Sequence, residues 1–330
     1  MNNIHQQNIN TLQRIIGVIK KRDRRCICSS CHENAINSHV LSKSHILKPI
    51  SVNSKIYQFN YRPLYYPNEP VFYKLEGINQ AYVFKGFCSN HDKEIFLPIE
   101  PSIGYVDWSN IKNQYLLGYR TLCRELAVQE IVYDLNEYLL SNAESYDSLY
   151  KLDLYIKRAN LLCSANTLNH YKTILENGIF NGDCTDYKFE HIELPFQFDL
   201  CVCSPIHVDD GKGICFKYDY QESNIVMIFP YYGKTEIIIG YSQNFENVWM
   251  NHIISEFRSG NPLSLSRAFA NVLYRIEFNA MSPTLYHSLD PALIELFLKT
   301  FIQNASVYSL DIYGVEKLFL KPLNLLMSNS

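Results

Sequence analysis

Two short stretches of this 330-residue sequence decide its fold: CICSSCH at residues 26–32 and GFCSNHD at residues 86–92. In the first, Cys28 and Cys31 lie two residues apart, a spacing that lets both thiolates bind one tetrahedral Zn²⁺ from a tight turn. In the second, Cys88 and His91 repeat the spacing with an imidazole as the fourth ligand. The sequence therefore predicts one zinc ion held by two knuckles that are far apart along the chain.

The first knuckle leaves an alternative open, because Cys26 precedes Cys28 and His32 adjoins Cys31. Either residue could replace a member of the ligand set. We favour Cys28 and Cys31 because their spacing matches that of the second pair. The ten cysteines of the chain are too few for a disulfide-rich scaffold, and clustered thiols in a reduced compartment are better metal ligands than disulfides.

Between the knuckles lies AINSHV at residues 35–40, in which His39 precedes an apolar Val40. Together with Cys28-x-x-Cys31, and with Cys88-x-x-His91 before Asp92, this segment resembles the zinc-containing HNH nucleases. The similarity covers about residues 26–98. It implies a treble-clef or ββα-metal module with a zinc-binding knuckle, a strand carrying a catalytic histidine, and a helix opened by the second knuckle.

The resemblance implies that His39 is the general base of a metal-dependent nuclease acting on DNA or RNA. One catalytic Mg²⁺ or Mn²⁺ is then expected in addition to the structural zinc. The sequence departs from the family because Ser38 stands where an acidic ligand usually precedes the histidine. After His91 only Asp92 and Glu94 offer oxygen ligands, and the segment from His39 to Cys88 is longer than in compact members. Such modules commonly serve restriction or phage defence in bacteria.

The charge distribution also indicates nucleic acid. The formal net charge is −3, yet residues 1–50 contain eight Lys or Arg residues and two acidic ones. A basic end on an acidic body suits contact with a phosphate backbone, although such residues also occur at solvated helix ends. The expected nucleic-acid-binding residues are Lys20, Lys21, Arg22, Arg24 and Arg25. A non-catalytic zinc module that recognises nucleic acid or a protein is the alternative function, and a protein partner or homo-oligomer stays open.

The rest of the chain predicts an α+β protein in three regions. Residues 1–104 form the zinc-binding module with an N-terminal helix, residues 105–182 are helical, and residues 183–330 form an α+β region of unknown role, with a hairpin across residues 225–241. No apolar run approaches the roughly 20 residues of a membrane span. The N-terminus lacks the features of a signal peptide, so we expect a cytoplasmic protein.

Overall fold

The computed structural model describes residues 3–29, 31–61, 71–101, 104–142, 148–207, 223–243, 248–304 and 314–328. The fold mixes helices and sheets, which confirms the α+β class. The described helices are α1 (Asn3–Lys21), α2 (Lys48–Ile50), α3 (Ser89–Phe96), α4 (Ile111–Ser141), α5 (Ser148–Asn181), α6 (Val248–Arg258), α7 (Pro262–Leu273), α8 (Pro283–Ser288), α9 (Pro291–Asn304) and α10 (Leu320–Ser328). A π-helical turn at Lys43–Leu47 precedes α2, and a 3-10 turn at Leu97–Ile99 follows α3.

Two antiparallel sheets accompany these helices. The strands are β1 (Asn37–His39), β2 (Lys55–Tyr61), β3 (Val71–Gly77), β4 (Val83–Lys85), β5 (Tyr187–Leu194), β6 (Leu200–His207), β7 (Ser223–Tyr231), β8 (Lys234–Ser242) and β9 (Asn279–Met281). A small ribbon pairs β1 with β4, and a larger sheet has the order β3-β2-β9-β6-β7-β8-β5. The predicted hairpin at 225–241 is present as β7 and β8, in register from Ile225↔Gly240 to Tyr231↔Lys234.

The large sheet combines strands from both ends of the chain. Strands β2 and β3 lie between the two strands of the ribbon in sequence, yet β2 pairs with β9, from Tyr57↔Met281 to Gln58↔Ala280. The sheet thus joins the region at 1–104 to the region at 183–330. The boundaries of the three predicted regions stay a prediction.

Strand β7 is buried at all nine positions and forms the centre of the core. Helix α4 packs closely against this part of the sheet, because a Cβ on Gly118 would lie 2.8 Å from the Phe189 ring and 3.6 Å from Ile225. Helix α5 runs beside α4 as a long helical hairpin. Both Cys201 and Cys203 on β6 are fully buried, so their side chains belong to the core.

A buried arginine fixes α3 against α4. The Arg120 side chain is 1% exposed, and its guanidinium donates to Asp92 at 2.9 Å and to Glu100 at 2.7 Å. It also lies 4.5 Å from the centre of the Phe96 ring. One side chain of α4 therefore holds both ends of the segment formed by α3 and the turn after it.

We expect Arg120→Ala to lower the free energy of unfolding by about 3 kcal/mol, because the change leaves two carboxylates without their shared cation and empties a buried site. Urea unfolding followed by circular dichroism measures the loss. The matched control is Arg158→Ala, which removes an exposed pair with Glu137 and should cost less than about 1 kcal/mol. Equal losses in the two variants would contradict the central role of Arg120.

Candidate metal centre

A tight backbone loop forms the first knuckle. The amide of Cys26 donates to the Glu33 carbonyl at 2.9 Å, and the amide of Ala35 donates to the Arg24 carbonyl at 2.8 Å. Within the loop, the Cys31 amide donates to the Cys28 carbonyl at 3.1 Å. These bonds fold residues 24–35 back on themselves and bring the two ends of the segment Cys26–Cys31 together.

The second knuckle is the start of α3. Cys88 is the N-cap residue of this helix, and its carbonyl accepts from the Asp92 amide at 2.9 Å. His91 lies three residues on, so its side chain and that of Cys88 share one face of the first turn. Two bonds join the knuckles directly, since the amides of Ile27 and Ile36 donate to the carbonyls of Gly86 and Phe87, each at 2.7 Å.

The two knuckles bring together Cys26, Cys31, Cys88 and His91, whose ligand atoms all lie within 4.8 Å of one another. His91 Nδ1 is 3.3 Å from Cys26 Sγ and 3.4 Å from Cys88 Sγ, and the sulfurs of Cys31 and Cys88 are 3.9 Å apart. A tetrahedral zinc ion spaces two sulfur ligands by roughly 3.8 Å, and a sulfur and a nitrogen by roughly 3.6 Å. The cluster therefore has the ligand set and the dimensions to hold a metal ion such as zinc.

The cluster contains three of the four expected ligands, but Cys26 replaces Cys28. The Cys28 sulfur instead lies 3.8 Å from the hydroxyl of Tyr119 on α4. The spacing argument missed this because a CxCxxC run can present either of its first two sulfurs, and the choice depends on packing. The sequence does contain a signal for Cys26, because this cysteine lies two positions before Cys28 as an alternative ligand.

The electrostatics of the cluster suit a closed structural site. The backbone N–H of His91 donates to the Cys88 sulfur and lowers the pKa of that thiol. Burial raises the pKa of the Cys26 thiol, so a metal ion must displace its proton. Cys26 and Cys88 are both buried. Four protein ligands complete a tetrahedral shell, and such sites stabilise the fold rather than catalyse a reaction.

His39 occupies the end of β1, where it pairs with Val83 of β4. Its Nε2 lies 3.2 Å from the Ile78 carbonyl, an acceptor that fixes the ring with Nε2 protonated and Nδ1 free to accept. Burial lowers the pKa of His39. The imidazole is therefore held neutral at pH 7, which is the form that a general base requires.

The oxygen ligands proposed for a catalytic ion are less favourably placed. Asp92, the expected ligand, uses Oδ1 to accept from Arg120. Glu94 is exposed and lines a cleft of about 510 Å³ beside Cys28, together with Glu176 of α5. The Ser38 side chain is buried, and its hydroxyl has no hydrogen-bond partner in the described part of the chain.

The expected nucleic-acid-binding cluster is divided between a buried and an exposed part. Arg24 is 8% exposed and donates to Glu130 at 2.6 Å and to Asp134 at 2.7 Å, so it joins the first knuckle to α4. Arg22 pairs with the same Asp134 at 3.2 Å. Of the five predicted cations, Lys20, Lys21, Arg22 and Arg25 are exposed.

Comparisons with protein-family models, with curated proteins and with solved structures find no match to this chain. Among the described helices, none is both long enough and apolar enough to cross a membrane.

We expect about one zinc ion per chain in the purified protein, a content lost in Cys26→Ser and retained in Cys28→Ser. Cys26→Ser removes a ligand, and since metal-binding energy is folding energy in such modules, it should also lower the thermal midpoint. Elemental analysis and thermal unfolding with and without a chelator measure both effects.

Cys28→Ser is the matched control, since it removes a neighbouring sulfur of the same knuckle. Zinc that stays in Cys26→Ser and leaves with Cys28→Ser would show that the spacing argument, and not the geometry, identifies the ligand.

Proposed function

We propose that the chain contains a zinc-stabilised HNH-like module and acts as a metal-dependent nuclease on DNA or RNA. The observation that carries the proposal is the arrangement around the metal cluster. Strand β1 with His39, strand β4 and helix α3 follow one another as a ribbon and a helix, and α3 begins with two of the four ligands. This is the order of elements that a ββα-metal module requires.

The longer spacing between His39 and Cys88 agrees with this proposal. The residues between β1 and β4 form β2 and β3, which leave the ribbon and pair with the large sheet. The ribbon itself is undisturbed, because Asn37, Ser38 and His39 still face Lys85, Phe84 and Val83. On this proposal, the extra length is an insertion into the module that leaves its two strands and its helix in place.

In the proposed reaction, Nδ1 of His39 takes a proton from a water molecule whose oxygen attacks the scissile phosphorus. The bond from phosphorus to the leaving sugar oxygen breaks, and that oxygen takes a proton from a solvent water molecule. A divalent ion such as Mg²⁺ or Mn²⁺ supplies positive charge at the phosphate. Asp92, Glu94 or Ser38 would have to help hold it, and Asp92 can contribute only through its other oxygen or by giving up its ion pair with Arg120.

A non-catalytic recognition module is the second candidate, and the ion pairs of Arg120 favour it. The guanidinium occupies the carboxylates of Asp92 and Glu100, which the proposed catalytic ion would need close to His39. If Asp92 and Glu100 stay paired with Arg120, the module keeps its zinc and its basic surface but has fewer oxygen ligands for a second metal ion. Binding of nucleic acid without cleavage is the expected behaviour in that case.

We expect the purified protein to nick plasmid DNA or to cleave RNA in the presence of Mg²⁺ or Mn²⁺, and His39→Ala to reduce the rate at least about 100-fold because it removes the general base. The zinc content of this variant should be unchanged. Since burial lowers the pKa of His39, the wild-type rate should stay constant from neutral pH down to below the usual pKa of histidine.

The matched control is His252→Ala, which changes an exposed histidine on α6 with no role in the module. An activity that survives His39→Ala would remove this residue from the mechanism. Tight binding of nucleic acid without cleavage under either metal would favour the recognition module.

We expect Lys21→Ala and Arg25→Ala each to weaken the binding of nucleic acid of any sequence. Each change should also reduce the slope of log K against log salt concentration by about 1, because one phosphate contact is lost. Fluorescence anisotropy with a labelled duplex, measured at several salt concentrations, gives the slope. Lys299→Ala on α9 is the control, and an equal reduction there would show that net charge alone governs binding.

A further inference from the structure

Helix α5 has a second apolar face that no other part of the described chain covers. Its first face packs against α4 through buried residues such as Leu154, Leu168 and Leu175. On the side away from these residues, exposed apolar side chains recur along two heptads. This outer stripe consists of Leu149, Leu152, Tyr155, Ile156, Ala159, Leu162 and Cys163.

The spacing of the outer stripe predicts the kind of element that covers it. Leu149, Leu152, Ile156, Ala159 and Cys163 follow one another at alternating intervals of three and four residues. This is the spacing of the a and d positions of a coiled coil, in which side chains of one helix fit between those of another. Tyr155 and Leu162 extend the stripe on one side. The complementary surface is therefore a helix with the same apolar spacing.

The extent of the stripe matches the apolar centre of a stable interface. Leu149 is 80% exposed, and Leu152, Tyr155, Ile156 and Leu162 are between 46% and 57% exposed. Together they expose the equivalent of about three large side chains, or on the order of 500–600 Å². A standard interface buries about 800 Å² on each partner, including a polar rim. An exposed apolar patch of this size is at the upper end of what single chains carry, and such patches are often functional.

The stripe lies away from the part of α5 that packs on the rest of the protein. Buried residues of the helical hairpin lie mainly at 114–123 on α4 and at 167–178 on α5, where the hairpin packs on the rest of the protein. The stripe lies on the other half of α5, at 149–163. A partner on the stripe would therefore not compete with the packing of α5 at 167–178.

We propose that the outer stripe is a homodimerisation surface, in which α5 pairs with α5 of a second copy. The stripe contains no charged residue that would select a partner of opposite charge, and it is complementary to itself in spacing. Arg158, at its border, already pairs with Glu137 of the same hairpin. A two-fold axis through the stripe buries both copies of the same surface, as the commonest oligomers do.

The test is the mass of the full-length protein in solution, by sedimentation or light scattering up to about 100 μM. We expect a mass twice that of the 38.5 kDa chain. Ile156→Glu should weaken dimerisation by about 100-fold or more, because it places an unpaired charge at the centre of the interface. Circular dichroism and zinc content should not change, since the side chain is half exposed.

Lys157→Glu is the matched control, since it introduces the same charge at the next position, off the stripe, and should remain dimeric. Leu149→Glu gives a second variant in the stripe, at its most exposed residue. A wild-type protein that is monomeric at 100 μM overturns the proposal. Equal weakening by Ile156→Glu and Lys157→Glu overturns it too, because a specific stripe must distinguish the two positions.

Discussion

The convergence of two distant segments on one metal cluster is the constraint on which the N-terminal part of the structure depends. Cys26 and Cys31 come from the loop of the first knuckle, and Cys88 and His91 come from the first turn of α3. The backbone bonds that join the two knuckles are few, and each contributes only about 1 kcal/mol. A metal ion held by the cluster would fix four side chains at once, beside the ribbon that carries His39. The ends of the ribbon are thereby held at the place where the proposed chemistry would occur.

Charged residues on α4 attach the first knuckle and α3 to the helical hairpin of α4 and α5. Arg24 reaches from the first knuckle to Glu130 and Asp134, while Arg120 reaches from α4 to Asp92 and Glu100. One arginine thus reaches to α4 from the N-terminal region, and the other reaches from α4 to the N-terminal region. Both arginines are buried and paired with carboxylates, so each stabilises the fold. Neither could bind a phosphate without breaking its ion pairs. These ion pairs distinguish the buried cations that hold the fold from the exposed ones, Lys20, Lys21, Arg22 and Arg25.

Much of the local structure and part of the site could be predicted from the sequence. The knuckles, α1, α3, the long helices and the hairpin of β7 and β8 follow from spacing and periodicity, which are local signals. The choice of Cys26 over Cys28 could not, because it depends on Tyr119, which is 91 residues away in sequence. The pairing of β2 with β9 was missed for the same reason. A strand next to a turn can be predicted from the sequence of one segment. Its partner in the sheet is determined by packing, here between segments more than 200 residues apart.

The insertion between β1 and β4 has a role beyond extra length. After β3, the chain turns at Ile78, whose amide donates to the Ser54 carbonyl and whose own carbonyl accepts from the His39 ring. The residue that orients His39 therefore belongs to the insertion, and the insertion is anchored in the large sheet through β2 and β9. In a compact module, the ribbon and the metal alone would have to hold that ring. Here the C-terminal half contributes to the position of His39 through the sheet. The surroundings of His39 and the C-terminal region are thus connected through one sheet, although they lie at opposite ends of the sequence.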